Sequence, residues 1–231
     1  MPHFDFALVL TGEFRTWLLQ GFVLSLQLAA VTLVLSLPLA MVTALLRLAS
    51  GALARGIGFC LVEGVRNVPL LAHMLFWYFA APELLPDAVG QWLYEHGAEA
   101  ICAVVALTLY TSAYMAEDIR SGIRAVPSTQ FEAARALGFG FLAAMRRIVL
   151  PQAVRITVPP LISQTLTLWK NTSIATVIGA AELMYQAQRV ESASFRGIET
   201  FAVTTVAYLT VSLLITALAA WYQHRFPVRA A

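Results

Sequence analysis

Charge is scarce in this chain of 231 residues: Lys, Arg, Asp and Glu together make up 12% of it, about half the share of an ordinary soluble domain. Mean hydropathy is correspondingly high, at +0.74. A water-soluble globule is excluded, because the polar residues that would cover one are missing. The formal net charge is only +2, and the basic residues are scattered, so no nucleic-acid partner is expected. Cysteine is nearly absent: Cys60 and Cys102 lie far apart in apolar stretches, without the pairing that metal sites or disulfide frameworks require. Both read as buried apolar side chains. His3, His73, His96 and His224 fall on separate segments, and the chain has no H-E-x-x-H, no G-x-S-x-G and no G-x-x-x-x-G-K-S/T. Zinc hydrolysis, serine hydrolysis and a phosphate cradle therefore lack their residues. The first 14 residues carry Asp5 and Glu13 and lack a basic head before a short apolar core, so no cleaved signal peptide is expected.

What the chain has in quantity is long apolar runs. A membrane-spanning helix needs about 20 apolar residues, since lipid offers no partners to backbone groups. Five stretches fit: 16–46, 57–80, 99–120, 156–181 and 200–224. The first and last hold no charge, and Pro38 is expected to kink the first. The second carries Glu63 and Arg66 near its start, the third is uncharged over 100–116, and the fourth holds only Lys170. The fold class implied is an all-α membrane protein of five spans, with 1–231 forming one transmembrane domain and no internal repeat. Arginines set the orientation. Arg47 and Arg55 lie between spans one and two, Arg120, Arg124, Arg135, Arg146, Arg147 and Arg155 between spans three and four, and Arg225 and Arg229 at the C-terminus, whereas 81–99 is acidic and has no basic residue. The N-terminus is expected outside and the C-terminus inside.

The longest of the inward-facing loops, 121–155, contains "FEAARALGFG" at 131–140. Thr129 and Glu132 have the spacing of a capping box, and Gly138 and Gly140 can stop the helix they open. Small residues keep that helix slim, and Phe131 and Leu137 give it an apolar edge, suited to a groove on another protein or to the membrane surface. Glu132, Ala133 and Ala134, then Gly138, then Ile148, Leu150 and Pro151, reproduce the pattern EAA, three residues, G, nine residues, I, one residue, LP. The pattern resembles the EAA loop of permease subunits of bacterial ATP-binding-cassette importers, in which the loop forms coupling helices that dock onto the ATPase subunit.

The resemblance covers nearly the whole chain and narrows toward permeases for polar amino acids. "VEGVRNVPLLAHMLFWYFAAPELLP" is similar to the second span and following loop of glutamate/aspartate permeases. "YTSAYMAEDIRSGIRAVPSTQFEAARALG" and "PQAVRITVPPLISQTLTLWKNTSIATVIGAAEL" resemble later runs of the same group, with Thr129 where the family usually has Gly. The resemblance implies a non-catalytic transmembrane subunit in the bacterial cytoplasmic (inner) membrane. Its implied partners are a cytoplasmic ABC ATPase dimer that holds the ATP and Mg, a second permease subunit of the same or a similar chain, and an extracytoplasmic binding protein that delivers the substrate. No cofactor is expected on this chain. Glutamate or aspartate is the expected cargo, with another polar or basic amino acid as the alternative and a non-transporting membrane scaffold as the competing class.

An ionised side chain at mid-membrane costs about 2.5 to 3.5 kcal/mol on insertion scales, which makes each one a site candidate. Lys170 falls near mid-depth of the fourth stretch and is followed by Asn171, Thr172 and Ser173. It has three readings: a ligand for a substrate carboxylate, a permanent ion pair with Glu63 or Glu117, or a snorkelling surface lysine. Arg66 has similar depth, and Asn67 and Pro69 beside it suggest a helix break facing a cavity; Glu63, three residues before, is the competing partner. Tyr114 and Glu117 can meet an ammonium, although Arg120 and Arg124 compete for Glu117. Glu182 reads equally as a docking residue for the binding protein or as part of a site. Phe76, Trp77, Tyr78 and Phe79 read as an interfacial belt.

Overall fold

The structure, a computed structural model, describes residues 4–227, and helices make up nearly all of them. Helix α1 (Phe6–Val9) leads into α2 (Gly12–Leu48), α3 (Ala52–Arg66) and α4 (Leu70–Leu75), which a π-turn prolongs to Ala80. Helix α5 (Asp87–Glu95) precedes α6 (Ala98–Arg124), and the short α7 (Ser128–Ala136) and α8 (Phe141–Ala144) lead through a second π-turn into α9 (Leu150–Asn171). A 3₁₀ segment, Thr172–Ile178, then gives way to α10 (Leu183–Ser194) and α11 (Gly197–Arg225).

Three of these, α2, α6 and α11, are long and apolar enough to cross a membrane. The stretch 57–80, expected as one span, is instead two pieces, α3 and the α4 segment, bent by 99° at their junction. Pro69 has no N–H to continue the ladder, and the Asn67 side chain donates to the Glu63 carbonyl at 2.8 Å, closing the end of α3. The stretch 156–181 begins within α9 and ends beyond the 3₁₀ segment. Helix α9 has 22 residues, about 33 Å at the helical rise, but Arg155, Gln164, Lys170 and its hydroxyl residues make it less apolar than the other three. Pro38 lies inside α2, which runs on through it.

Small residues explain how the core closes. The buried face of α2 runs Gly21, Ser25, Leu28, Thr32, Ser36, Ala40 and Ala44, spaced by three or four, so two helix backbones can approach closely there. Helix α6 answers with Ala103, Ala106, Leu107, Met115 and Ala116, all fully buried, and the Ser36 hydroxyl donates to the Thr108 carbonyl at 3.3 Å across the pair. Helix α11 lies outside this core and leaves Val206, Leu209, Leu213 and Leu218 exposed, as lipid contact requires.

Gly21 marks the tightest crossing. A Cβ placed there would lie 2.9 Å from the Glu182 carbonyl oxygen and 2.9 Å from the Leu183 Cα, both backbone atoms of the turn that opens α10. Gly21→Ala should therefore push α10 off α2, at an overpacking cost of about 1 to 3 kcal/mol. The check is thermal unfolding of the detergent-solubilised protein; an unchanged midpoint would show that the two helices can separate freely.

Candidate functional site

The loop that carries "FEAARALGFG" is a helix turned back on itself. Pro127 is the N-cap of α7 and no side chain caps it, so the expected Thr129–Glu132 capping box does not form. Proline's fixed φ starts the helix at Ser128, which places Thr129 inside the first turn and Glu132 in the second. The stop is as expected at Gly138 alone. With φ +84° at Gly138, the Gly138 N–H donates to the Arg135 carbonyl and the Phe139 N–H to the Ala134 carbonyl, the two bonds of a Schellman motif. Gly140 instead begins α8. Ala134 is buried, and Phe131 packs beside Val149 and Ala153 at the foot of α9; its ring also meets that of Phe141 at 5.7 Å. Glu132, Ala133, Leu150 and Pro151 are exposed, and Ile148 is half-buried. Leu137 and Leu142, each 77% exposed, form an apolar prow held in place by a buried heel.

Deeper along α3 and α6 lies a cluster of polar side chains. The Arg66 guanidinium sits over the Tyr114 ring at 4.9 Å, and the Tyr114 hydroxyl donates to the Arg66 carbonyl at 3.5 Å. The Tyr110 hydroxyl donates in turn to that of Tyr114 at 3.3 Å. Arg66 forms no ion pair among the described residues, and its Nε is buried without a hydrogen-bond acceptor. The acids nearby are engaged elsewhere. Glu63 and Glu117 both face Arg47, at 3.7 and 3.6 Å, and Glu117 also accepts from Arg120. Asn67, exposed at the bend, donates to Glu63 at 3.1 Å. Sequence spacing left a pair between Glu63 and Arg66, three residues apart, as one of two readings, and the fold instead offers Glu63 an arginine from another helix.

Lys170 is exposed on α9, and its side chain makes no ion pair among the described residues, so the pair with Glu63 or Glu117 is not present. It shares one face with Ser163 and Thr167, also exposed, at a spacing of four and three that aligns polar groups along a span-length helix. Ser173 turns its hydroxyl back to the Lys170 carbonyl at 2.8 Å, and Asn171 is half-buried beside it. Thr172 is fully buried and donates to the Trp169 carbonyl, so it points away from the polar face. No hydrogen bond or ion pair joins the Lys170 side chain to the Arg66–Tyr114 cluster.

Residues 36–227 match the family described as binding-protein-dependent transport system inner membrane component. The chain belongs to that family. It is 32% identical over 203 residues to the glutamate/aspartate import permease protein GltJ of Escherichia coli, covering 86% of this chain and 82% of that one. It is also 42% identical over 157 residues to the probable glutamine ABC transporter permease protein GlnM of Bacillus subtilis, with 68% of each covered. A crystal structure of an amino acid ABC transporter with histidines superimposes with a TM-score of 0.83 at 27% identity, over 97% of this chain and 100% of the other. The resemblance read from the EAA pattern and the permease-like runs thus stands.

Two contacts of this family member appear only in the fold. Asp118 is half-buried on α6 and accepts from the Gln164 side chain of α9 at 3.0 Å, which joins the two helices that carry Tyr114 and Lys170. Only the fold brings them together, since the two residues lie 46 apart in sequence. Glu182 is the second. It is fully buried, not a surface docking residue: it caps α10 by accepting from the Met184 and Tyr185 N–H groups, and it also accepts from Ser25 at 3.1 Å and Tyr208 at 2.9 Å. Four donors around one carboxylate make it a clasp joining α2, α10 and α11.

Proposed function

We infer that the chain is the permease subunit of an ATP-driven importer of polar amino acids, with glutamate or aspartate as the first cargo. The observation that carries this reading is Arg66: a guanidinium at the bend between α3 and α4, backed by the Tyr114 ring, with a buried Nε that lacks an acceptor among the described residues while the neighbouring acids are held by Arg47 and Arg120. A planar guanidinium grips a carboxylate with two parallel hydrogen bonds, and Lys170 on the polar face of α9 supplies a second cation for an acidic side chain. Asp118, with Asn67 and Asn171, offers oxygen acceptors for the ammonium. The relatives named for glutamate/aspartate and for glutamine support the amino-acid class, and glutamine is the second reading because Asp118 and Gln164 suit a neutral amide as well.

In this reading α2, the bent α3–α4 pair, α6, α9 and α11 are five spans with the N-terminus outside, as the arginine distribution argues. Glu132, Ala133, Ala134 and Gly138 then lie on the cytoplasmic side, where Leu137 and Leu142 fit a groove of the ATPase dimer. The ATPase binds ATP and Mg and does the hydrolysis; this chain converts its closure into alternating access around a path shared with a second permease subunit in the inner membrane. An extracytoplasmic binding protein delivers the cargo. A scaffold would have no use for an unpaired cation at the α3–α4 bend. The test is uptake of radiolabelled glutamate by vesicles holding the whole transporter, with each unlabelled amino acid in excess. Aspartate should compete strongly and arginine not at all; strong inhibition by arginine with none by aspartate would overturn the acidic assignment.

A further inference from the structure

Four arginines, Arg47, Arg55, Arg120 and Arg124, line one open cleft of about 370 Å³, together with Phe59 and Cys60. The cleft lies where the last turns of α2 and α6 meet the first turns of α3; Arg66 and Tyr114 do not line it, and it shares only Arg47 and Arg120 with the ion pairs described above. Two carboxylates, Glu63 and Glu117, offset Arg47 and Arg120. Arg55 and Arg124 are exposed and make no ion pair among the described residues, which leaves the cleft two positive charges in excess. Such an excess, confined by three helices, fits an oxyanion held by several guanidinium donors.

The surroundings identify the kind of anion. Beside the cleft, α3 exposes Leu53 at 79%, Ile57 at 48% and Leu61 at 48%, one residue per turn along a single apolar stripe. Phe59, at the lip, is 54% exposed and its ring lies 5.2 Å from the Arg47 guanidinium. A free phosphate has no use for this stripe, whereas a phospholipid has a charged head and apolar tails side by side. We propose that the arginine-lined cleft between α2, α3 and α6 is a binding site for the phosphodiester headgroup of an anionic phospholipid, whose acyl chains lie along the Leu53–Ile57–Leu61 stripe. In the orientation inferred above, the lipid belongs to the cytoplasmic leaflet, where basic pockets between spans meet anionic heads. Its position between the mouth of the α3–α6 pair and the loop leading to α7 allows the lipid to brace the helices that carry Arg66 against the segment that carries Glu132.

Cys60 reports occupancy. It is exposed in the cleft, whereas Cys102, the other cysteine, is buried. The complete transporter, ATPase included, is placed in nanodiscs of phosphatidylcholine alone or with phosphatidylglycerol, and modification of Cys60 by uncharged N-ethylmaleimide is timed by intact mass of this chain. Phosphatidylglycerol should slow the modification by on the order of tenfold. The Arg55→Gln/Arg124→Gln double variant should restore the fast rate, Arg55→Lys/Arg124→Lys should keep part of the protection, and Arg225→Gln, which removes a charge from the far end of α11, should keep all of it. Equal rates in the two lipids, or protection that survives Arg55→Gln/Arg124→Gln, would overturn the site. Protection by inorganic phosphate in phosphatidylcholine discs would assign the cleft to a soluble anion, and protection lost on removing the ATPase would assign it to a protein contact; either result rejects the lipid. None of these readouts depends on which amino acid is carried or on which way the chain faces.

Discussion

Gly138→Val should abolish most transport while leaving the protein inserted and folded, and Gly138→Asn should largely retain it. The difference lies in the backbone. Gly138 has φ +84° and nothing within 4 Å of where a Cβ would lie, so a side chain there meets no neighbour and only the left-handed conformation opposes it. That conformation costs an L-residue roughly 1 to 2 kcal/mol, and more for a β-branched side chain, whereas asparagine visits it readily. Helix α7 has nine residues, short enough to be marginal without its contacts, so loss of the Schellman bonds from Gly138 and Phe139 frays its last turn and moves Leu137. A shift of about 2 kcal/mol in the coupling geometry corresponds to roughly a thirtyfold loss. The measurement is uptake per assembled complex, with co-purification of the ATPase scored alongside. Wild-type uptake by Gly138→Val would remove the coupling role from this helix; equal loss in both variants would show that space, not backbone conformation, is what Gly138 supplies.

What could be read from sequence was whatever depends on neighbours along the chain. The left-handed stop at Gly138 and the break at Asn67–Pro69 are local chemistry, and hydropathy alone finds α2, α6 and α11. The pairing of charges was not local. Glu63 had Arg66 within one turn but lies against Arg47 of another helix, and Arg47 also takes Glu117, so the spacing argument failed on the very residues that decide whether Arg66 is free. Asp118 with Gln164, and Glu182 with Ser25 and Tyr208, are likewise contacts between distant segments and leave no periodic trace. The missing cap at Thr129 is a smaller lesson. Pro127 set the start of α7 two residues earlier than the T-x-x-E spacing implied, and a cap has no tolerance for such a shift.

Lys170→Met should leave the stability and assembly of the transporter unchanged and reduce uptake at least about tenfold. Lys170 is exposed within its own chain and has no acidic partner among the described residues, so its removal strands no charge there, and the expected change in unfolding free energy is within about 0.5 kcal/mol. A buried structural pair would behave differently, since breaking one costs about 3 to 5 kcal/mol. Glu63 and Glu117 provide the internal comparison. Each faces Arg47, so Glu117→Gln should destabilise on its own account, and combining it with Lys170→Met should give the sum of the two effects, as distant sites do. Lys170→Arg, which keeps the charge and alters its reach, should recover part of the uptake if a carboxylate is the target. Unfolding midpoint, complex yield and initial uptake rate are to be measured on all four variants. Full uptake by Lys170→Met would exclude the lysine from the transport path. Loss of assembly before loss of uptake would place it at the contact with the second permease subunit, because the exposed face of α9, with Ser163 and Thr167 beside Lys170, must then be covered by protein and not by a water-filled path.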